Sequence, residues 1–411
     1  MNEHKQTNLS FDNTACAFAA KSDKELKSAH FLYSAMGKPW LVKLGLTITP
    51  PAIRWHFPFT KTIIRKTIFQ QFVGGENLQE TTSVVDKLEK FRVEVILDYG
   101  VEGKEGEENF EAARDEFKKV IAYAATQTNI PFMSVKVTGF ARFALLEKLD
   151  ALMKAGSGSL MKRYLAAVAN LQEPEKEEWH KVRLRMLQVC ETAAANNIGV
   201  MIDTEETWIT DPVDALTILM MDMFNKEKAI VYNTLQMYRH DRLEFLKDAY
   251  DAANEKKFIL GTKLVRGAYM DKERKRAAEL KYASPIHPDK ASCDRDFNTA
   301  VAFCIERIDK ISVMVASHNE FSNLYTTQLM DEHGLPHHHP HVHFSQLYGM
   351  SDNITFNLAA AGFSASKYLP FGPIKDVIPY LMRRAQENSS VSGQTGRELG
   401  LIKKEMKRRS F

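Results

Sequence analysis

Eight short runs of apolar and β-branched residues recur between residues 93 and 372, separated by longer stretches with charged faces. In chain order the runs are VEVILDYG, MSVKVTGF, IGVMIDTE, AIVYNTLQ, FILGTKLVRGAY, ISVMVASHNE, HVHFSQLYGM and SKYLPFG. The stretches DFNTAVAFCIERIDK and FSNLYTTQLMDEHG between the later runs carry apolar residues at helical spacing. Strands buried on both faces read as continuous apolar runs, so this alternation predicts an α/β fold of the (β/α)8 barrel type.

The rest of the chain is predicted to be helical. Residues 1–85 read as helices and loops, which predicts an N-terminal helical segment before a barrel formed by residues 86–411. The interval between the second and third strands is long and rich in Lys, Glu, Leu and Ala, which predicts helices inserted at about residues 140–190. A doubly wound sheet is the rival fold. Its G-x-G-x-x-G fingerprint is absent, and GSGSLMK at 156–162 follows helical sequence, as a loop would.

Composition favours a water-soluble protein of a reducing compartment. The 411 residues are 44% apolar, carry a net charge of +3 and include four cysteines without a C-x-x-C pair. The polar N-terminus has no signal or transit pattern, so we predict a cytoplasmic location. The nearly balanced charge argues neither for nor against nucleic acid, and we expect no nucleic-acid partner. Two basic stretches, FTKTIIRKTIFQQF at 59–72 and KKEMKRR at 403–409, leave peripheral contact with the inner face of the cell membrane open. The alternative is a packed helix at 59–72 and a solvated C-terminal end.

Polar residues follow most of the predicted strands. Since barrel enzymes place their chemistry at the C-terminal ends of strands, these positions are candidates for a site. They are Asp98, Glu102, Lys136, Asp203, Glu205, Gln236, Lys263, Arg266, Tyr269, Ser317, His318, Asn319 and Tyr368. Taken singly, each has a structural explanation, because an acid at a strand end often caps the next helix and a lone lysine usually extends to water.

Lys136 is harder to explain as a structural residue. It interrupts an otherwise apolar strand between Val135 and Val137, and a partly buried ammonium needs partners. We therefore expect Lys136 to have a functional role.

The helix predicted over PYLMRRAQEN is amphipathic. Tyr380, Arg383, Arg384 and Glu387 share one face, and Leu381 lies on the opposite side. The usual meaning of such a face is contact with water, and the alternative is a row of groups aimed at a ligand.

Arginine and lysine dominate the candidate residues. A guanidinium group donates two parallel hydrogen bonds to a carboxylate, so Lys136, Arg383 and Arg384 suit a small carboxylate ligand. The cations of the fifth strand and a histidine after the sixth suit a phosphate-bearing cofactor. We expect no metal site, because HHHPHVH (337–343) precedes the seventh strand and lacks the usual ligand spacing.

The sequence resembles the proline dehydrogenase (proline oxidase) family, in a monofunctional form similar to the mitochondrial-type sequences. The most specific match is KYLPFGPIKDVIPYLMRRAQENSS, residues 367–390, which fits Y-x-P-x-G followed by P-Y-L-x-R-R-x-x-E-N. Further matches occur in chain order at FQQFVGGE, LDYGVE, KLVRGAYMD, ASHN and QLYGM. The resemblance implies a distorted (β/α)8 barrel with its last helix over the barrel mouth.

The resemblance also implies the chemistry. Members oxidise L-proline to Δ1-pyrroline-5-carboxylate with FAD, by hydride transfer to flavin N5, as the first step of proline catabolism, and pass the electrons to a quinone. Arg383, Arg384 and Lys136 would be the catalytic residues that bind the proline carboxylate. The remaining substrate-binding residues would be Leu347, Tyr368, Tyr380, Glu387, Asp203 and Glu102, the last as part of a gate. FAD would contact Asp203, Gln236, Lys263, Arg266, Gly267, Ala268, Tyr269, Ser317, His318 and Glu387.

One motif departs from a common bacterial form of the family. That form reads R-L-V-K-G-A-Y-W, whereas this chain has Lys263, Arg266 and Met270 at the first, fourth and eighth positions. Mitochondrial-type members share the K-L-V-R-G-A-Y form. Which basic residue contacts flavin N5 therefore stays open.

Three alternatives to this function stay open. One is a hydroxyproline dehydrogenase, which the bulky Tyr368 should disfavour by crowding a 4-hydroxyl group. Another is a barrel aldolase or lyase that uses Lys136 as a Schiff-base lysine. The last is a barrel that binds a carboxylate without catalysis.

Overall fold

A computed structural model of the chain describes residues 9–55, 57–100, 105–390 and 394–411. Eight parallel strands close into a barrel in chain order, which confirms the predicted (β/α)8 fold. The strands are β1 (Glu94–Tyr99), β2 (Phe132–Lys136), β3 (Gly199–Asp203), β4 (Val231–Gln236), β5 (Leu260–Val265), β6 (Ile311–Ala316), β7 (Val342–Leu347) and β8 (Ala365–Phe371).

Helices precede the barrel, connect its strands and follow the last strand. They are α1 (Thr14–Ala17), α2 (Asp23–Met36), α3 (Pro39–Arg54), α4 (Thr60–Ile64), α5 (Gln70–Phe72), α6 (Leu78–Glu89), α7 (Glu107–Ala124), α8 (Phe143–Ala155), α9 (Leu160–Ala169), α10 (Glu173–Ala195), α11 (Thr210–Phe224), α12 (Arg242–Lys256), α13 (Met270–Leu280), α14 (Lys290–Ile305), α15 (Glu320–Glu332), α16 (Asp352–Ala360), α17 (Ile374–Ser390) and α18 (Gln394–Arg408). A π-helical turn (Arg65–Phe69) joins α4 to α5.

Two of these elements bear on the sequence interpretation. Between β2 and β3 the chain forms α8, α9 and α10. Of GSGSLMK, residues 156–159 form a loop and residues 160–162 already begin α9, where the Ser159 hydroxyl accepts a hydrogen bond from the amide of Lys162. Its glycines therefore serve a turn before a helix.

The chain divides into two compact units. One contains the N-terminal helices and β1 together with residues 318–320 and 344–411, and the other contains the described residues of 102–317 and 321–343. The first unit has an apolar core in which α2, the π-helical turn and α5 pack against α17 and α18. Tyr33, Phe69, Phe72, Val377 and Leu381 are buried in it. The burial of these side chains fixes the orientation of α17 within its unit.

No helix in the described part of the chain is long and apolar enough to cross a membrane.

Candidate functional site

Three charged side chains meet at the ends of β2, β3 and β5. Lys136 and Asp203 are direct neighbours in the parallel register of β2 and β3, and their charged groups lie 3.6 Å apart. The second carboxylate oxygen of Asp203 accepts a hydrogen bond from Lys263, which is buried. One carboxylate is therefore shared by two ammonium groups.

Gln236 ends β4 beside this cluster of charges, in the same unit. Its amide nitrogen donates to the backbone carbonyls of Thr204 and Glu205, at 3.2 and 2.6 Å, so the side chain is fixed in place. The amide oxygen of Gln236 is buried and has no hydrogen-bond partner among the described residues, and the same holds for the hydroxyl of Thr234 two positions earlier. Buried polar atoms are nearly always paired, so these two atoms indicate a ligand with hydrogen-bonding groups.

Arg266 lies beyond the end of β5 in a ring of polar partners. Its guanidinium donates to Ser317, Ser322 and Asp294 at 2.7, 2.8 and 3.1 Å and lies 3.7 Å from the ring centre of Phe297. Ser317, directly after β6, is thereby joined to the strand-five motif. A rigid arginine beside a serine hydroxyl suits a phosphate.

The loop after β5 continues with Gly267, Ala268 and Tyr269. A Cβ at Gly267 would meet the Met270 sulfur, Ala268 is exposed, and Tyr269 precedes the first turn of α13. The loop is therefore closely packed at Gly267 and exposed at Ala268.

In the first unit, one face of α17 carries the predicted ligand-binding residues. Arg384 donates to Glu387 at 2.6 Å and lies 5.1 Å from the ring centre of Tyr380. Burial raises the pKa of Glu387, and the neighbouring guanidinium groups of Arg384 and Arg383 oppose that rise. Asp98, at the end of β1, is close enough to act electrostatically on the Tyr380 hydroxyl.

The polar face of α17 is not a solvated face. Arg384 and Tyr380 are buried, and Arg383 and Glu387 are half-buried. The Nε of Arg384 and the hydroxyl of Tyr380 are buried without a hydrogen-bond partner among the described residues. A guanidinium in this state costs free energy unless an anion satisfies it, so the face suits a carboxylate ligand.

Three further candidates lie in the same unit as α17. His318 follows β6 and is half-buried, and its pKa is lowered to about 3 by burial and by the positive charges of Lys367 and Arg384, so the ring is neutral. Leu347 ends β7 and packs against the apolar core that contains α17. Tyr368 is half-buried within β8. Glu102 lies outside the described residues.

The structure also reveals residues that sequence reasoning missed. Lys367, Asp352 and Glu398 form a buried charged cluster in the first unit, with Lys21 at its edge. Lys367 interrupts an apolar strand as Lys136 does, so a signal existed. Nothing in the local pattern around Glu398 marks it as buried.

Metal binding finds no support in the described part of the chain, where no group of three or more His, Cys, Asp or Glu side chains could hold an ion.

Fold and side chains together define a class of protein. This is a (β/α)8 barrel. Its strand ends carry charged side chains beside the unpaired side-chain oxygens of Thr234 and Gln236, which suit a polar cofactor. Its helix α17 carries arginines suited to a carboxylate.

Comparison with known proteins identifies the family. Residues 81–397 match the family model for proline dehydrogenase. The chain is 32% identical to mitochondrial proline dehydrogenase 1 of Dictyostelium discoideum over 85% of its length and 66% of that protein. It is 31% identical to hydroxyproline dehydrogenase of Xenopus laevis, with 85% and 79% covered. The chain therefore belongs to the proline dehydrogenase family.

Solved structures agree on the fold. The proline utilization A protein of Bdellovibrio bacteriovorus, inactivated by N-propargylglycine, superimposes with a TM-score of 0.70 at 18% identity and covers 94% of this chain. This chain spans 40% of that protein and just under two thirds of the Dictyostelium relative.

Proposed function

We propose that this protein oxidises L-proline to Δ1-pyrroline-5-carboxylate with FAD as cofactor. Family membership supports the reaction, and the observation that carries the site assignment is the buried, incompletely satisfied guanidinium of Arg384. Proline is a small carboxylate with an apolar ring, and α17 offers an arginine pair beside a buried tyrosine.

Arg383 and Arg384 would bind the carboxylate, with Lys136 as a third cation. Glu387 holds the Arg384 guanidinium at 2.6 Å, so little side-chain freedom remains to be lost when the ligand binds. Leu347, Tyr368 and Tyr380 would enclose the ring.

Cations near the substrate also favour the reaction step. The double bond of the product lies between the ring nitrogen and the ring carbon that carries no carboxylate, so that carbon must give up a hydride. The amine must first lose its proton, and neighbouring positive charges lower the pKa of an ammonium group. The ammonium groups of Lys136 and Lys263, which share the carboxylate of Asp203, would contribute to this effect.

FAD, when bound, supplies the two-electron acceptor for that hydride. Gln236 offers an unused amide oxygen, and Asp203 and Lys263 lie in the same unit. Arg266 and Ser317, joined at 2.7 Å, suit the diphosphate, with Gly267, Ala268, Tyr269, His318 and Glu387 as further contacts. Lys263 is the better candidate for flavin N5, because it lies within β5 next to Asp203, whereas Arg266 lies beyond the strand beside Ser317, in the place assigned to the diphosphate.

The geometry argues against a Schiff-base role for Lys136. Such a lysine attacks as the neutral amine, whereas Lys136 is held in an ion pair with Asp203 at 3.6 Å. Borohydride trapping of substrate on Lys136 would reverse this conclusion.

Hydroxyproline is the second candidate substrate, since a hydroxyproline dehydrogenase is among the relatives. Tyr368 is expected to disfavour it by crowding the 4-hydroxyl group. Comparable turnover of hydroxyproline and proline would contradict that expectation.

We further infer that the electrons go to a membrane quinone and that the N-terminal region contacts the bilayer surface. Residues 26–75 contain no Asp or Glu, although the chain has 52 acids among 411 residues, and they carry seven Lys and Arg. A stretch with this charge is attracted to anionic lipids.

Exposed aromatic and aliphatic side chains support this inference. On α3, Trp40, Leu44 and Ile48 are spaced at four residues, so they share one face, and all three are exposed. Trp55, Phe57, Phe59 and Ile63 continue the exposed set. A cationic face with tryptophan and aliphatic residues is typical of interfacial helices.

The two basic stretches, residues 59–72 and 403–409, differ in how far they are available to a membrane surface. In 59–72, Phe59 and Ile63 are exposed whereas Ile64 and Phe69 are buried, so one side packs and the other faces outward. In the C-terminal stretch, Arg408 and Arg409 both pair with Glu405, so this end is less available to lipid.

The reaction is tested by supplying the purified protein with proline and a soluble quinone and identifying the product by mass. A product two hydrogen atoms lighter than proline supports the proposal. Proline recovered unchanged from protein that retains its flavin would contradict it.

A further inference from the structure

The turn between β7 and α16 is held in an unusual backbone conformation. Gly349 has φ +80°, and a Cβ there would clash with the backbone carbonyl of Gln71. Ser351, two residues on, is also left-handed, with φ 49° and ψ 45°, a region that non-glycine residues rarely occupy. Such a backbone persists only where its surroundings fix it.

Two buried ionisable side chains fix the peptide group between Met350 and Ser351. Its carbonyl oxygen accepts a hydrogen bond from the ammonium of Lys367 at 2.6 Å, and its N–H donates to the carboxylate of Glu398. Lys367 is 1% exposed and Glu398 5%. A positive charge at the oxygen end and an accepting carboxyl oxygen at the hydrogen end both favour one orientation of the peptide dipole.

The neighbouring carbonyl is held as well. Gly349 accepts hydrogen bonds from the hydroxyl of Tyr33 at 2.6 Å and from the amide of Gln71 at 2.7 Å. Three successive residues of the turn are thus bound by side chains from α2, α5, β8 and α18, so the position of the Ser351 side chain is determined.

The Ser351 hydroxyl lies 2.9 Å from Nδ1 of His318. A neutral imidazole has one donor and one acceptor nitrogen, so the partner of Nδ1 decides what Nε2 offers to a ligand. If the hydroxyl donates to Nδ1, Nε2 carries the proton and can donate to an oxygen of the cofactor.

Helix α18 is tied to His318 from a second direction. Arg397, next to Glu398, donates to Glu320 at 2.8 Å, and Glu320 lies two residues after His318. Asn353, in the first turn of α16, donates to the same carboxylate at 2.9 Å. α18 therefore contacts the segments on both sides of the His318–Ser351 hydrogen bond.

We propose that Glu398 and Ser351 are positioning residues for the cofactor site: Glu398 holds the Ser351 amide, and the Ser351 hydroxyl holds His318 in the tautomer that bears hydrogen on Nε2. This inference rests on the proposed contact of His318 with FAD. Neither residue touches the cofactor or proline in this account.

Variants at Ser351 and Glu398 separate positioning from stability. Ser351→Gly removes the hydroxyl and also relieves the left-handed strain, so the midpoint of thermal unfolding should not fall. FAD release from the diluted holoenzyme, followed by flavin fluorescence, should nevertheless be about tenfold faster, the effect of one hydrogen bond. Glu398→Ala should release FAD faster to a similar degree, and Glu398→Gln, whose amide oxygen still accepts from the Ser351 amide, should restore slow release.

The matched control is Glu405→Ala, which removes another buried carboxylate from α18. Glu405 pairs with Arg408 and Arg409, so its loss should lower the unfolding midpoint and leave FAD release unchanged. Faster FAD release in Glu405→Ala, equal to that in Glu398→Ala, would reduce Glu398 to a general stabilising role and overturn the inference.

The tautomer is measured directly by 15N NMR of histidine-labelled holoenzyme, with the His318 signal assigned from a His318→Gln variant. We expect Nε2–H in the wild type and a mixture of tautomers in Ser351→Gly. A spectrum unchanged by Ser351→Gly overturns the inference whatever FAD does. If His318→Gln alone leaves FAD release unaltered while the tautomer responds to Ser351, the positioning stands and the proposed FAD contact of His318 is wrong.

Discussion

Two lysines interrupt apolar strands of the barrel, and their surroundings differ. Lys136 ends β2, keeps 15% of its side chain accessible and has its carboxylate neighbour, Asp203, at 3.6 Å. Lys367 lies inside β8, is 1% exposed, and binds Asp352 at 2.9 Å and the Met350 carbonyl at 2.6 Å. The same sequence signal therefore marks one ammonium loosely paired at a strand end and another fully enclosed in a structural network.

The difference shows which buried charges are accessible to a ligand and which stabilise the fold. Lys136 shares the carboxylate of Asp203 with Lys263 at the strand ends, where a ligand can approach. Lys367 is matched by Asp352 and lies near Glu398, so its charge is used within the protein. Exposure and partner geometry, rather than residue type, separate the two.

The largest effects on stability and on proline turnover should come from replacing Lys136 and Lys367 in turn. Lys367→Met leaves Asp352 and the Met350 carbonyl buried without their main partner, and breaking a buried pair costs about 3–5 kcal/mol of unfolding free energy. Lys136→Met should lower that free energy by less, because Asp203 keeps its hydrogen bond from Lys263, but should sharply reduce proline turnover. Urea unfolding and steady-state kinetics of both variants check this. Equal losses of stability would remove the distinction between the two sites.

Arg384→Met tests the carboxylate site. Losing two charge-assisted hydrogen bonds should lower kcat/KM for proline about a thousandfold, mainly through KM, while FAD remains bound. The control is Lys375→Met, which removes an exposed cation from the same helix and should leave kinetics unchanged. Wild-type kinetics in Arg384→Met would contradict the assignment.

The charged network around Lys367 should make stability depend on pH in a defined direction. Burial and the neighbouring Asp352 raise the pKa of Glu398 to about 7, while the Ser351 amide, Lys367 and Lys21 lower it. Between the ordinary value of 4.5 and about 7 the folded state binds the proton and the unfolded state does not, so stability falls as pH rises through this window and then levels off.

Glu398→Gln should remove this dependence of the unfolding free energy on pH. Relative to the wild type, its unfolding free energy should rise by roughly 2–3 kcal/mol from pH 4.5 to pH 7. Urea unfolding at a series of pH values measures the difference. A constant difference across the window would show that Glu398 has an ordinary pKa.

The smallest predicted effect concerns the exposed face of α3. Trp40→Ser should weaken binding to vesicles that contain anionic phospholipid by roughly tenfold, from the apolar area lost. Phe321→Ser, which removes an equally exposed aromatic from the second unit, is the control and should bind as the wild type does. Binding unaffected by Trp40→Ser, or absent altogether, would contradict the membrane inference.

Much of the fold and one side of the candidate site follow from local pattern. All eight strands form where apolar runs predict them, since strands buried on both faces differ plainly from amphipathic helices. Lys136, Asp203, Gln236 and Lys263 converge because parallel strands bring their C-terminal ends to one edge.

Helix α17 shows what the local sequence pattern does not predict. Its wheel assigns Arg384 and Tyr380 to one face but does not say whether that face meets water or a ligand. The answer depends on the packing of Val377 and Leu381 against the N-terminal helices, a contact across some 340 residues. The cluster around Glu398 was missed for the same reason, because its partners Ser351 and Lys367 are distant in sequence.

Anaerobic addition of L-proline to the purified flavin-containing protein tests the central claim most directly. We predict that the absorbance of the oxidised flavin disappears when proline is added to the wild type. In Arg384→Met the absorbance should remain at the same proline concentration. A flavin spectrum that proline does not change, in protein that binds proline, would contradict the proposed function.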